Sequence, residues 1–143
     1  MKAAFYRATR PGWQGVYSRG VRWVGRGPHS HVELVFGDGV SASSSFIDGG
    51  VRFKRIDYEP TRWDIVDVDG DEKSARTWFE AHEGQAYDVI GTGHFVIGPI
   101  PQNSNRWFCS EAVAAALGMR DPWRYDPCGL YALLSASIQK GGL

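Results

Sequence analysis

The chain has 143 residues, close to the commonest size of a single domain, and 43% of them are hydrophobic, which excludes a disordered chain. Sixteen basic residues balance sixteen acidic ones, so electrostatics give no reason to expect nucleic acid or an anionic membrane as a partner. We therefore expect one globular domain over residues 1–143.

The two cysteines, Cys109 and Cys128, are too few for a disulfide framework and lack the spacing of zinc ligands. One disulfide between them is the alternative that stays open, but we expect two free thiols, no metal and no cofactor. The N-terminal residues contain no apolar signal-peptide core, and no run approaches the roughly 18 apolar residues of a membrane-spanning helix. The sequence predicts a soluble protein made in the cytoplasm, without an integral membrane segment; where it acts is a separate question.

Strands dominate the predicted first half of the chain. Short apolar runs bounded by turn residues predict strands at Lys2–Arg7, His31–Phe36, Val40–Ser45, Val51–Ile56 and Trp63–Val68. One helix interrupts them, because apolar residues recur at helical spacing from Trp13 to Val24. We expect the strands from His31 onward to form an antiparallel meander with one face on the core and one in water.

Helices dominate the second half. A helix over Asp71–Glu83 precedes a loop rich in Gly and Pro over Gly84–Arg106. Two further helices are predicted: Cys109–Leu117, ended by Gly118, and a last one opened by Asp126 and Pro127. The inward positions are expected to be Ala75, Trp78, Phe79 and His82 on the first helix, and Leu130, Leu133, Leu134 and Ile138 on the last. This order of elements predicts an α+β domain.

Cys109 is the candidate nucleophile. At the first turn of a helix, a cysteine faces unpaired backbone N–H groups and the positive end of the helix dipole, and both favour the thiolate. The same N–H groups can receive an oxyanion. The alternative interpretation is a small buried hydrophobic residue, the commonest role of a lone cysteine.

His31 is the candidate base, because it begins a strand directly after a Gly/Pro loop, where a helix N-terminus can meet its ring. The alternative is a hydrogen-bonded histidine at a strand end. We expect His82 to pack on its helix face, and His29 and His94 to be solvated in loops.

These segments together resemble a known superfamily. Pro28–Val35, the Gly37–Gly39 hairpin and the later Phe108–Glu111 resemble the NlpC-type papain-like cysteine hydrolases, more narrowly their circularly permuted branch, which includes YiiX-like proteins and relatives of lecithin retinol acyltransferase. In that branch an SHV strand carries the histidine before the cysteine in sequence, and the nucleophile opens a late helix. The resemblance implies a permuted papain-like fold, an antiparallel sheet packed against helices, with Cys109 and His31 as the catalytic pair.

The third catalytic position departs from that pattern. Relatives place a polar residue, commonly His or Glu, on the strand after the histidine hairpin, and counting without a gap puts Ser43 there. Glu33 is the alternative, since it lies two residues after His31 on the same strand face. Asp48 is a weaker candidate, because it is more simply explained as a turn-forming residue.

We assign substrate binding to Tyr87, Ser30 and Ser110. In the resembling families a tyrosine at the position of Tyr87 shapes the cleft; equally, Tyr87 is explained by packing with its hydroxyl hydrogen-bonded. Glu111 is expected to have a structural role, because its charge would oppose a thiolate at Cys109.

The resemblance implies a cysteine peptidase or amidase that cleaves an amide bond, most often in a peptidoglycan peptide, and compact relatives encoded by prophages suggest a phage role. Two alternatives remain open. One is a thioesterase or acyltransferase on acyl substrates, and the other is a binding or virion accessory module on the same scaffold.

Overall fold

The computed structural model describes residues 1–8, 19, 27–87 and 106–140. Within them the seven strands are β1 (Lys2–Tyr6), β2 (His31–Val35), β3 (Ser41–Ser45), β4 (Gly50–Lys54), β5 (Trp63–Asp67), β6 (Ala86–Tyr87) and β7 (Arg106–Trp107). The helices are α1 (Glu72–His82), α2 (Cys109–Ala116) and α3 (Pro127–Lys140), with a 3₁₀ turn at Pro122–Arg124. The protein is thus a mixed α+β structure. The helix predicted over Trp13–Val24, apart from residue 19, lies outside the described residues, as does most of the loop Gly84–Arg106 with His94.

The strands form one sheet in the order β5-β1-β2-β3-β4-β6-β7. The hairpins β2–β3 and β3–β4 are antiparallel, as the Gly37–Gly39 and Asp48–Gly50 turns predict. The expected meander ends there, because β5 returns to the opposite side of the sheet and pairs antiparallel with β1. A strand is recognised from its own residues, whereas its partner is chosen by tertiary packing.

Both faces of the sheet are covered, so the prediction of one face in water is wrong for its central strands. One face carries the main core, in which Phe5, Val32 and Leu34 pack with residues of all three helices. The other face carries a smaller cluster of Ala4, Tyr6 and Trp63, with Tyr58 packed against it. Every residue of β3 is consequently buried.

Capping and burial explain the helices. The Asp71 carboxylate accepts hydrogen bonds from the N–H groups of Lys73 and Ser74 and so begins α1. Asp126 does the same for α3 through Gly129 N. Leu130 and Leu134 face the core, but Leu133 is 44% exposed, so its predicted inward position is wrong. The side chain of Ile138 lies outside the described residues. No helix in the described ranges is long and apolar enough to cross a membrane.

The separation of two strands positions the site. The β2–β3 ladder contains only the pairs Leu34–Ala42 and Val35–Ser41, so these strands diverge toward His31. Helix α2 packs on β2 and β3 and begins at Cys109. Gly118, with φ +69°, adopts the left-handed conformation expected just after this helix.

Candidate active site

Cys109 is the first residue of α2, where the backbone N–H groups of the first turn have no acceptor within the helix. Its side chain belongs to the main core, and the residue is 1% exposed. Cys109 and Cys128 are not joined by a disulfide, and the more exposed Cys128 donates its thiol proton to the carbonyl of His29 at 3.4 Å. A thiol at Cys109 is therefore shielded from water and lies at the positive end of a helix.

The His31 ring connects this cysteine to a carboxylate. Its Nε2 donates to Oε1 of Glu33 at 2.6 Å. The Cys109 side chain lies close enough to the ring to raise its pKa. Because Nε2 is occupied, Nδ1 is the nitrogen left for the thiol. Burial lowers the pKa of His31, but the Glu33 carboxylate and the Cys109 side chain outweigh burial and raise the pKa to about 9. The ring is therefore an imidazolium at neutral pH.

Glu33 is 1% exposed, and its carboxylate is fully engaged. Besides His31, it accepts two hydrogen bonds from Arg52, Nη2 to Oε1 at 2.6 Å and Nη1 to Oε2 at 2.7 Å. Burial raises the pKa of Glu33, but Arg52 and His31 together lower it by more, so the net pKa lies below the ordinary value. A buried carboxylate with these partners stays ionised.

Ser43, the expected third residue, forms no hydrogen bond with His31. Its hydroxyl donates to the carbonyl of Val32 at 2.6 Å and to its neighbour Ser44 at 3.3 Å. Asp48 is not bonded to His31 either: it accepts hydrogen bonds from Arg52 and Lys54, which outweigh burial and lower its pKa to about 2. The structure thus places Glu33, the alternative, beside the imidazole, because two residues along one strand return to the same face.

The three residues assigned to substrate binding occupy different settings. Ser110 is fully buried and donates to the carbonyl of Tyr125 at 2.5 Å, so it ties α2 to the 3₁₀ turn. Ser30 is buried, its N–H donates to Tyr6 O, and its hydroxyl has no partner among the described residues. The Tyr87 ring lies edge-on to Phe46 and Phe108, each at 5.8 Å between ring centroids. Of the three, only Tyr87 belongs to a side-chain cluster that leads to the surface.

Two other described histidines are accounted for by packing. His29 is buried, not solvated as expected, and its Nε2 lies 2.8 Å from Oδ2 of Asp64. His82 stacks on Trp78 with 4.0 Å between the ring centroids, which confirms its predicted packing role. Glu111 accepts a hydrogen bond from Phe108 N at 3.3 Å, at the start of α2, as a structural role requires.

Arg52 is the site residue that the sequence did not reveal. The alternation of Val51, Arg52, Phe53 and Lys54 placed it on a polar strand face, but nothing local indicates an acid two strands away. Among the described residues, no group of three or more His, Cys, Asp or Glu side chains could hold a metal ion.

No model of a known protein family matches this sequence, and no curated protein matches it. The resemblance to papain-like hydrolases therefore depends on the motif residues themselves.

Proposed function

We propose that the protein is a cysteine hydrolase of the permuted papain-like kind, with Cys109 as nucleophile, His31 as proton carrier and Glu33 as the residue that orients His31. One observation carries the proposal: the His31 ring is hydrogen-bonded to Glu33 and lies close enough to Cys109, the first residue of a helix, for that side chain to raise its pKa. A buried lone cysteine needs no such arrangement.

The arrangement supports acyl transfer in two stages. The Cys109 sulfur attacks a carbonyl carbon and forms a C–S bond, while backbone N–H groups at the start of α2 stabilise the oxyanion. His31 gives its proton to the departing amine as the C–N bond breaks. Water, deprotonated by His31, then cleaves the thioester and releases a carboxylic acid, and the thiol is restored.

The substrate class comes from the resemblance of the His31 and Cys109 motifs. It is an amide bond, most often one in a peptidoglycan peptide, and a phage-encoded enzyme is one setting for that activity. The charge-balanced composition is compatible with this substrate because it gives no preference for a polyanion.

The test of the catalytic pair is the alkylation of each cysteine by iodoacetamide, resolved by mass spectrometry, in the native protein and in His31→Ala. We expect the Cys109 rate at pH 6.5 to fall at least about tenfold in His31→Ala, because the thiolate is the reactive form and the imidazolium stabilises it. Cys128 is the internal control, and its rate should not change.

His82→Ala is the matched control variant, since it removes a histidine that is stacked on Trp78. Its Cys109 rate should equal that of the native protein. A Cys109 that reacts as fast in His31→Ala as in the native protein would refute the proposal and favour a binding or virion accessory module.

A specific observation also supports a second candidate, a thioesterase or acyltransferase. Three rings lead from the surface toward the nucleophile: Phe46, which is 52% exposed, contacts Tyr87, and Tyr87 contacts Phe108, the residue before Cys109. Tyr87 and Phe108 are themselves buried, so Phe46 is the ring that an acyl chain would contact first. Turnover of acyl esters with no release of amine from muropeptides would favour this candidate, and the reverse preference would exclude it.

A further inference from the structure

Behind Glu33, on strands β3 and β4, lies a second set of contacts that the catalytic pair does not explain. We propose that Arg52 is a positioning residue that holds Glu33 against His31, and that Ser43 is small because the Arg52 side chain has to pass it. This inference rests on the proposed function, which it deepens by extending the site across three strands.

The strand register shows how the Arg52 side chain reaches Glu33. Ser43 lies opposite Arg52 in the β3–β4 ladder, so the two side chains share one face of the sheet. Glu33 and Ser43 adjoin the last paired residues, Leu34 and Ala42, so side-chain alternation puts them on the same face although the strands diverge there. The Arg52 side chain therefore crosses β3 to bond Glu33. A large side chain at position 43 would obstruct that path.

Arg52 holds Glu33 by both carboxylate oxygens, and we call this arrangement the Arg52 clamp. Both terminal nitrogens bond the two oxygens of Glu33, and Nε donates to Oδ2 of Asp48 at 2.8 Å. A planar fork of this kind fixes a carboxylate in one orientation, which a single-point cation cannot do. Asp48 is held in turn by Lys54, at 3.1 Å. The order of contact is therefore Lys54, Asp48, Arg52, Glu33, His31 and Cys109.

Charged and titratable groups surround Glu33. The direction in which the pKa of His31 changes when Arg52 is removed therefore tests the proposal. Glu33 is faced by His31, by Arg52 and by Tyr58, whose pKa is raised by burial and by the Glu33 charge. As a mere charged neighbour, Arg52 would repel the His31 imidazolium, and its removal would raise the pKa of His31. As a positioning residue, Arg52 keeps Glu33 ionised and in contact, so its removal would let burial dominate and lower that pKa.

The experiment is an NMR titration of the His31 ring, assigned by its loss in His31→Gln. In Arg52→Gln we expect the pKa of His31 to move down by about one pH unit or more, in the same direction as in Glu33→Gln. In Arg52→Lys it should move down less, because one donor replaces a fork. A pKa in Arg52→Gln that stays unchanged or rises would overturn the inference.

Position 43 supplies an independent variant with Arg52 intact. Ser43→Leu should lower the pKa of His31 as Arg52→Gln does, whereas Ser43→Ala keeps the path open and should leave the pKa unchanged. If Arg52→Gln does not fold, Ser43→Leu and Arg52→Lys decide the question, and an unchanged pKa in both would overturn the inference.

The two proposals fail separately. The titration of His31 needs no reaction at Cys109, so a Cys109 rate that does not depend on His31 would refute the hydrolase while the direction of the pKa change at His31 still tests Arg52. Conversely, a Cys109 rate that depends on His31 but is the same in Arg52→Gln and the native protein, with no downward pKa change, would leave the hydrolase and remove the clamp.

Discussion

His29 and His31, two residues apart, have rings with different surroundings. His29 packs between Phe5 and Tyr131 and points Nε2 at Asp64, while its Nδ1 has no partner among the described residues. His31 is bonded by Glu33 and also touches Cys109. Residue type is the same in both, so the chemistry of each ring is decided by which strand and helix lie beside it.

Ser110 separates a structural from a substrate-binding role. Its hydroxyl is buried against the carbonyl of Tyr125, so Ser110→Ala should lower the free energy of unfolding by about 1–2 kcal/mol, the cost of leaving that carbonyl unpaired. The rate of Cys109 alkylation and the KM for any substrate should not change. Urea denaturation and alkylation kinetics measure the two effects. An increase in KM without loss of stability would mean that Ser110 binds substrate.

At the scale of elements, the β3–β4 hairpin depends on Gly50. Gly50 has φ +152°, and a Cβ placed on it would lie 2.0 Å from the carbonyl oxygen of Gln85, next to β6. Gly50→Ala should therefore lower the free energy of unfolding by about 3 kcal/mol or more, because a backbone group would have to move.

Gly49 is the matched control for that prediction. It also has a positive φ, +83°, but a Cβ there would meet nothing within 4 Å. Gly49→Ala should cost only about 1 kcal/mol of backbone strain. Thermal or urea denaturation of both variants measures the difference, and equal destabilisation would mean that the contact with Gln85 does not matter.

Some of these helices and strands can be predicted from the sequence, and others cannot. Alternation predicts β1 to β5, and the helical run that follows Trp107 and Phe108 predicts the start of α2 at Cys109, because these signals are local. The partner of β5 and the two-residue strands β6 and β7 depend on contacts between distant segments, and no local pattern encodes them. Counting along the chain predicted Ser43 as the third residue, whereas the two-residue spacing along β2 places Glu33 beside His31.

At the scale of the whole molecule, the stability should depend on pH through the His31–Glu33 pair. The pKa of His31 rises from 6.5 to about 9 on folding, so its contribution is complete below pH 6.5 and is lost as the pH rises through about 9. Glu33 has the opposite sign: its lowered pKa gives a contribution that is complete above pH 4.5 and is lost on acidification. For this pair, stability should be greatest between pH 4.5 and 6.5.

We therefore expect His31→Gln to be less stable than the native protein by roughly 3 kcal/mol at pH 6, since a tenfold change in proton affinity corresponds to about 1.4 kcal/mol. The difference should shrink as the pH rises and nearly disappear at about pH 10, where the native ring is also neutral. Urea denaturation at a series of pH values measures it, with His82→Gln as the control that removes a histidine stacked on Trp78 and leaves the His31–Glu33 pair in place. A difference between His31→Gln and the native protein that stays constant from pH 6 to pH 10 would mean that His31 contributes through packing alone, because packing, unlike an imidazolium held by a carboxylate, does not titrate.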